Sequence, residues 1–341
     1  MPIGITDLLQ GRQYGRYGLM RGLTFALSLT LFGLLLAVPN SCVMAEEQRS
    51  EGFHQWQILE VGTGRSVAFE DFVAKLATEE VIYLGEEHRN RFHIEAAIKI
   101  LRALLERDQK PVLAMEMFAW DGQVGLDRYL SDRDMGRDAF LQESRWEQNW
   151  GGPFDDYEPL LALARDRRTV VLALNPPRPL VRQVATAGLS KAMIDPEMRR
   201  LGIQGEQFPE DPEYREKMLD QLRRCHAGLS AEAYDRMYEA SVFRDEMMAK
   251  VIANSVRLSR AFAVKGGPFV SYTGGGHIQY RLPIPNRVLR RRGGAVRQVT
   301  IYLAAFQPGS EGEVQELLRE SIADYVWLTP LSAHGAPRRC R

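Results

Sequence analysis

The feature that most constrains the fold is a repeated alternation between short apolar runs and longer segments of helical periodicity. The apolar run EVIYLG leads into HIEAAIKILRALLERD, where Ile94, Ala97, Leu101 and Leu104 recur at helical spacing. Two further apolar runs, KPVLAMEMF and TVVLALN, follow with helical segments between them. Strands that are joined by helices in this way form a parallel sheet with both faces covered. The sequence therefore predicts an α/β fold in which a largely parallel central sheet is flanked by helices.

One segment departs from this alternation. Residues 207–265 combine helix-favouring residues with polar and apolar periodicity and contain no strand-like run. They predict a helical insertion, or a smaller helical subdomain, inside an α/β domain that spans residues 46–330. The sheet pattern resumes with GGPFVSYTGGGH, and residues 331–341 are expected to form a flexible tail because they carry no core-forming residues.

The beginning of the chain has the pattern of an export signal. Three arginines precede an uncharged apolar stretch, and small residues suit a cut after Ala45. We therefore expect residues 1–45 to be a signal peptide and the protein to be exported to the periplasm or cell envelope. Two alternatives stay open, an uncleaved signal anchor and a lipid on Cys42, and either would associate the protein with a membrane.

Charge and cysteine content exclude several classes of function. The chain has 44 basic and 44 acidic residues, so no overall field favours nucleic acid or an anionic membrane as a partner. Only Cys225 and Cys340 remain once the signal is removed. No disulfide framework or cysteine metal cluster is therefore predicted, and a single disulfide between these two residues is left open.

Three predicted strand ends carry residues that are unusual in a buried sheet. They are GEEH, which ends at His88, a carboxylate at Glu116 within the run AMEMF, and GGGH, which ends at His277. The carboxyl ends of parallel strands meet at one edge, where ligands bind. A carboxylate inside an apolar strand also needs a cation, a hydrogen-bond donor or a ligand. The glycine run would allow the backbone to approach a ligand closely and to adopt positive φ.

The residue types at these strand ends suit a metal ion. Two imidazoles and a carboxylate, from His88, Glu116 and His277, form a set that fits zinc, manganese or ferrous iron with open coordination positions. Glu86 or Glu87 would then serve as a general base or a further ligand. The corresponding activity is that of a metal-dependent hydrolase with a divalent cofactor.

A purely structural interpretation also stays open. The two histidines would cap neighbouring helices, and Glu116 would pair with an arginine such as Arg178. The protein would then be a non-catalytic envelope interaction protein. Motifs of other enzyme classes are missing from the sequence, namely H-E-x-x-H, the Lys-Ser/Thr of a P-loop and the G-x-S-x-G elbow.

Several segments, taken in order, resemble a known family. IYLGEEH, LAMEMF, WGGPFDDYEPLLALAR, LALNPPRPLVRQVATAGL and TGGGH together resemble the ChaN-like haem-binding uptake family, which is related to the Tiki, TraB and erythromycin-esterase superfamily. The resemblance covers about residues 81–283. It implies an α/β domain with a smaller helical part, an exported location, and haem or iron handling. The paired G-x-x-H motifs and the carboxylate of the wider superfamily, which are associated with metal-dependent hydrolysis, match Gly85, His88, Glu116, Gly274 and His277.

Under this resemblance the cofactor is haem, which needs a flat apolar pocket, an axial ligand to the iron and cations for its propionates. Candidates for the axial ligand are Tyr157, His88 and His277, and Arg178 or Arg182 would bind the propionates. Tyr157 also fits a tyrosine that packs its ring and hydrogen-bonds its hydroxyl.

Three aromatic residues near Tyr157 complete the set of candidates. Trp146, Trp150 and Phe154 could wall a haem pocket or belong to the core. The leading expectation is an exported haem-binding protein in haem or iron uptake or handling, with haem bound across the interface of a homodimer. Catalysis is expected only if the chain is the metal-dependent hydrolase.

Overall fold

Eight strands form one sheet in the computed structural model, which describes residues 52–261 and 266–333. The order across the sheet is β2-β1-β8-β7-β3-β6-β4-β5. β1 pairs antiparallel with β2 and β8, whereas the pairs from β8 to β5 are all parallel. The strands are β1 Ile58–Glu60, β2 Arg65–Val67, β3 Val81–Glu86, β4 Val112–Ala119, β5 Val170–Asn175, β6 Phe269–Gly274, β7 Gln298–Phe306 and β8 Tyr325–Pro330.

Helices cover both faces of this sheet, which confirms the predicted α/β architecture. Helices α1 to α6 contribute buried side chains to a core on the first face. Helices α7, α8, α9, α11 and α12 contribute to a second core on the opposite face. The helices are α1 Phe69–Leu76, α2 Arg91–Glu106, α3 Gln123–Ser131, α4 Arg137–Glu143, α5 Trp146–Asn149, α6 Glu158–Arg167, α7 Arg178–Ala187, α8 Leu189–Ala192, α9 Pro196–Arg200, α10 Pro212–Cys225, α11 Ala231–Ala261, α12 Ile284–Arg291 and α13 Glu311–Arg319.

The alternation of side chains along the strands sends two carboxylates to opposite faces. On β3, Leu84 packs in the core of the first face, and Glu86, two residues later, shares that face. On β4, Ala114 packs in the core of the second face, and Glu116 shares that one. Both acids therefore lie at the same edge of the sheet but meet different helix layers.

The segment 207–265 contains α10 and α11. Phe243, Met247 and Ile252 of α11 are buried in the core of the second face, so this long helix packs directly on the sheet. α10 packs instead through a smaller cluster that includes Tyr214 and Tyr238. The division of the chain into domains stays a prediction.

Two side chains cover the free edge of β5. Gln123 of α3 donates to the carbonyl of Val171 (3.0 Å) and accepts from the backbone N–H of Ala173 (2.7 Å). The Trp120 indole donates to the carbonyl of Leu174 (3.1 Å). An edge strand normally offers such groups to another chain, and here the protein pairs them itself.

The predicted signal peptide, Cys42 and Cys340 all lie outside the described residues, as do residues 334–341 of the predicted tail. Within residues 52–261 and 266–333, no helix combines the length and apolar character that crossing a bilayer requires.

Candidate functional site

The three predicted strand ends meet at one edge of the sheet. β6 lies between β3 and β4, and Glu86 is the register partner of Gly274. β4 carries a register irregularity between Met115 and Ala119, the stretch that contains Glu116. The strand ends thus bring both carboxylates and both histidines of the predicted motifs together.

Glu86 is buried and is held by three donors. Its Oε1 accepts from the hydroxyl of Tyr157 (2.9 Å) and lies 2.8 Å from Nδ1 of His88. Its Oε2 accepts from the hydroxyl of Tyr272 (2.5 Å). Burial raises the pKa of Glu86, and the hydrogen bond from His88 offsets only part of this increase. With all its near neighbours donating, Glu86 acts as an acceptor that fixes His88.

His88 is the exposed member of this group, with 45% of its side chain accessible to solvent. Its ring meets that of Trp150 edge-on, with the ring centroids 5.0 Å apart. Desolvation lowers the pKa of His88, but the hydrogen bond with Glu86 and the charge of Glu116 outweigh it, so the pKa is raised. Within the described residues, Nε2 of His88 has no hydrogen-bond partner. The ring is therefore anchored through Nδ1 and free at Nε2.

Glu116 is buried on the second face and is surrounded by donors. It pairs with the guanidinium of Arg244 and accepts from the backbone N–H of Gly274 (2.7 Å). Burial raises the pKa of Glu116, but the charges of His277 and Arg244 outweigh it and hold the pKa well below its usual range. An arginine does neutralise this carboxylate, but it is Arg244 from α11, and not the suggested Arg178.

His277 lies between two carboxylates. Its Nδ1 is 2.5 Å from Oδ1 of Asp245, and its Nε2 is 3.3 Å from Oε1 of Glu116. Desolvation lowers the pKa of His277, but both carboxylates outweigh it and raise the pKa to about 9. Asp245 also accepts from the hydroxyl of Tyr214 (2.6 Å). Both ring nitrogens of His277 therefore face carboxylate oxygens.

The residues proposed for a metal site are thus close together but engaged with other groups. In the part of the chain that the structure describes, no group of three or more His, Cys, Asp or Glu side chains could hold a metal ion. Glu87, the other candidate general base, contacts a third histidine: its backbone N–H donates to Nδ1 of the buried His93 (2.9 Å). A metal site at His88, Glu116 and His277 stays a prediction.

The glycines of GGGH leave room for neighbouring side chains, and none of them adopts positive φ. Gly274 has φ −57°, and neither Gly275 nor Gly276 has positive φ, so the expectation of positive φ was wrong. A Cβ on Gly274 would lie 2.9 Å from Cε1 of His88, and a Cβ on Gly275 would lie 2.6 Å from the ring of Tyr302. Gly274 therefore lets His88 rest against β6.

A cavity of ≈ 360 Å³ opens beside these residues. Its lining includes the indole of Trp150, the apolar side chains of Met117 and Val181, and the exposed side chains of Arg178 and Arg182. Neither of these two arginines forms an ion pair within residues 52–261 and 266–333. The cavity therefore combines Trp150 and several apolar side chains with the exposed guanidinium groups of Arg178 and Arg182, and the Glu116–Arg244 ion pair also lines it.

Comparison with known proteins identifies the family. The sequence model of the family described as "Haem-binding uptake, Tiki superfamily, ChaN" matches residues 72–288. The chain belongs to this ChaN family. The match confirms the resemblance predicted from the sequence, and it spans all of the strand ends described above.

Solved structures and a curated relative show how far this likeness reaches. A structure described as cofacial heme binding to ChaN of Campylobacter jejuni is 19% identical, covers 79% of this chain and 95% of that chain, and has a TM-score of 0.59, which shows a common fold. An erythromycin esterase EreC mutant in its open conformation is 15% identical, covers 81% and 97%, and has a TM-score of 0.44. Protein RETICULATA-RELATED 5, chloroplastic, of Arabidopsis thaliana is 24% identical over 286 residues, which span 78% of this chain and 36% of that protein.

The candidate residues of this ChaN family member fall into different environments. Tyr157 is buried with its hydroxyl on Glu86, and Trp146 and Phe154 belong to the core of the first face. Trp150 lines the cavity. Of the three candidate axial ligands, only His88 is exposed and has a free ring nitrogen.

Sequence reasoning missed the residues that α11 and β6 contribute. Arg244 and Asp245 lie side by side in α11, next to the buried Phe243, and Tyr272 precedes GGGH on β6. Adjacent charges beside an apolar helix face were the one available signal for Arg244 and Asp245. Tyr272 carried no signal, because an aromatic residue in an apolar strand is typical of a core.

Proposed function

We propose that the chain binds haem at this edge of the sheet, with Nε2 of His88 as the axial ligand. The observation that carries the proposal is the pairing of His88 Nδ1 with the buried Glu86 at 2.8 Å, which leaves Nε2 free. Histidines that bind metals almost always donate their other ring N–H to a carboxylate or carbonyl, which fixes the tautomer and the ring orientation. Membership of the ChaN family and the described haem binding of the Campylobacter jejuni protein support the ligand's identity.

The charges around the cavity suit the haem propionates. Arg178 and Arg182 are one helical turn apart on α7, and both line the cavity. Arginine binds carboxylates in a bidentate geometry, so two arginines on one helix face can hold two propionates. Trp150 lines the same cavity and its ring meets that of His88 edge-on, so one aromatic side chain adjoins both the candidate iron ligand and the cavity that holds the two arginines. The donor set and the cavity wall both fit haem.

The other two candidate ligands are less suited to bind iron. Both nitrogens of His277 face carboxylates. Tyr157 is buried and its hydroxyl donates to Glu86.

The biological setting belongs to the same proposal. The arginine-led apolar stretch at the beginning of the sequence supports export to the periplasm or cell envelope. Haem binding in that compartment supports a role in haem or iron uptake or handling. A homodimer, in which a second copy covers the exposed ring of His88, is part of the proposal.

Titration of the purified protein with haemin tests the proposal. The wild-type protein should give a saturable shift of the Soret band, and His88→Ala should lose it. His226→Ala is the matched control, because His226 is an exposed histidine at the end of α10 and should leave the titration unchanged. Equal binding by His88→Ala and the wild type would exclude His88 as the ligand.

Elemental analysis of the same samples separates the alternatives. A stoichiometric divalent ion that disappears in His277→Ala, without haem binding, would favour the hydrolase. If neither haem nor a metal ion binds, the interaction protein is the remaining interpretation.

A further inference from the structure

We infer that the cavity is a binding site for a small di- or tricarboxylic acid, held by the guanidinium groups of Arg178, Arg182 and Arg244. All three arginines line this cavity of ≈ 360 Å³, which lies at the carboxyl ends of β4 and β5. The inference goes beyond the proposed function, because the acid would occupy the cavity when no haem is bound. It shares Arg178 and Arg182 with the proposed propionate contacts.

The charged side chains of the lining favour an anion. They are the three arginines and Glu116. Glu116 pairs with Arg244, and its Oε2 accepts from the backbone N–H of Gly274 (2.7 Å). Arg178 and Arg182 are exposed and form no ion pair in the part of the chain that the structure describes. A lining with three guanidinium groups and one carboxylate suits a ligand with more than one negative charge.

Arg244 is held in place before any ligand binds. Its Nη2 pairs with Glu116, and its Nε donates to Oδ1 of Asn175 (3.3 Å). The Asn175 amide donates in turn to the carbonyl of Glu116 (2.7 Å). The bonds that Arg244 makes within the described residues leave Nη1 available, and 29% of the side chain is accessible to solvent. A guanidinium fixed in this way loses little conformational freedom when it binds a carboxylate.

The start of α7 is fixed against the end of α5. The backbone N–H of Arg178 donates to Oδ1 of Asn149 (3.1 Å), and the amide of Asn149 donates to Oδ1 of Asp121 (2.9 Å). Trp150 follows Asn149 in the chain and lines the same cavity. Arg182 lies one turn further along α7, so the two guanidinium groups start from neighbouring points on one helix face.

The spread of the arginines and the apolar lining indicate the class of ligand. Guanidinium groups bind carboxylate and phosphate oxygens in a bidentate geometry. Arg178 and Arg182 belong to α7, whereas Arg244 belongs to α11, and apolar side chains such as Met117 and Val181 complete the lining. Arginines on two helices suit several anionic groups on one carbon skeleton, and the apolar side chains suit the skeleton. The cavity volume lies at the lower end of the range of about 300–1,000 Å³ for small-molecule pockets, so the acid is small.

Isothermal titration calorimetry of the purified, haem-free protein tests the inference. Glutarate and citrate should bind saturably. Valerate has the carbon chain of glutarate with a methyl group in place of one carboxylate. It should bind at least about tenfold more weakly, because one charge-assisted contact is missing. Equal binding of valerate and glutarate would overturn the inference. Inorganic phosphate that binds as tightly as glutarate would also overturn it, because the cavity would then be a general anion site.

Substitutions of the arginines locate the binding. Arg178→Gln and Arg182→Gln should each weaken glutarate binding by about 10–100-fold. Arg244→Lys keeps a cation beside the buried Glu116 but removes the planar fork, so it should weaken citrate binding more than glutarate binding. Arg102→Gln is the matched control, because Arg102 is exposed on α2 and does not line the cavity. Wild-type affinity for glutarate in both Gln variants would contradict the assignment.

Haemin titration with and without glutarate separates this inference from the proposed function. Saturating glutarate should lower the apparent affinity for haemin, because the propionates are proposed to use the same two arginines. Glutarate binding without such competition would support the acid site and contradict the proposed propionate contacts. Haemin binding by a protein that binds neither glutarate nor citrate would overturn the inference and leave the proposed function standing.

Discussion

Glu86 and Glu116 are two buried carboxylates at the same sheet edge, and their pKa values are shifted in opposite directions. Glu86 meets two neutral hydroxyls and His88, and burial raises its pKa. Glu116 meets the cations Arg244 and His277, which outweigh the effect of burial and lower its pKa. Pairs of titratable groups whose environments push their pKa values apart are typical of functional sites. The difference arises because alternate side chains of a strand enter different helix layers.

At the same scale, Gly274 determines where His88 can lie. Gly274→Ala adds a Cβ that would lie 2.9 Å from Cε1 and 3.0 Å from Nε2 of His88. The ring must then shift from its position against β6, which disturbs its bond with Glu86, so we expect haem affinity to fall by about tenfold or more, as when an outer partner of a ligand is lost. Titration with haemin, followed at the Soret band, measures the change.

Gly276→Ala is the control for this substitution. Gly276 belongs to the same glycine run, but a Cβ there would meet no atom within 4 Å. Its haem affinity should equal that of the wild-type protein. If both variants lost the same amount of haem affinity, the affinity would depend on the glycine run as a whole and not on the space beside His88.

At the scale of elements, Gln123 makes two of the three side-chain hydrogen bonds, described above, that protect the edge of β5. Gln123 is buried and bonds the backbone on both sides of Leu172, at Val171 and Ala173. The Gln123 amide thus makes the hydrogen bonds that a neighbouring strand would make, where the backbone of β5 would otherwise have unpaired groups. An unprotected edge is a template for pairing with another chain.

Gln123→Ala should therefore increase self-association as well as reduce stability. Two buried backbone groups lose their partners, which should cost about 1–3 kcal/mol of unfolding free energy for each group left unsatisfied. Sedimentation velocity over a range of protein concentrations measures the association, and urea unfolding measures the stability. Gln142→Ala, at an exposed position of α4, should change neither, and a monomeric Gln123→Ala would contradict the role of the side chain.

The order of elements was predictable because it depends on local periodicity, whereas the partners of Glu116 were not. The runs EVIYLG, KPVLAMEMF and TVVLALN became β3, β4 and β5 because an apolar segment of that length is stable when both faces of a parallel sheet are covered. Arg244 is 128 residues away from Glu116 in the chain. Which face of α11 meets the sheet depends on packing over the whole domain, and no local pattern specifies it.

At the scale of the whole molecule, ion pairs join segments that are distant in the sequence. Glu206, which follows α9, lies 2.9 Å from Nζ of Lys250 in α11 and 2.9 Å from Nη1 of Arg291 in α12. Lys250 also donates to the carbonyl of Gly202 (2.6 Å). The connection between α9 and α10 is thereby fastened to two helices of the second face.

This arrangement predicts how stability changes in acid. Burial raises the pKa of Glu206, but the hydrogen bond and charge of Lys250 and the charge of Arg291 outweigh it, so the folded pKa lies below the ordinary value of 4.5. As the pH falls, the unfolded chain takes up the proton first. The contribution of Glu206 is therefore fully present above about pH 4.5 and is lost as the pH falls through the folded pKa.

Glu206→Gln should lower the unfolding free energy by about 1–3 kcal/mol near neutral pH, because hydrogen bonds to charged groups are lost. Its disadvantage relative to the wild type should shrink as the pH falls below about 4.5 and through the folded pKa of Glu206. Urea unfolding at a series of pH values measures both effects. Glu216→Gln removes an exposed acid from α10 and should follow the wild-type curve. A constant difference between Glu206→Gln and the wild type across this range would show that Glu206 stabilises the fold by packing and not through its charge.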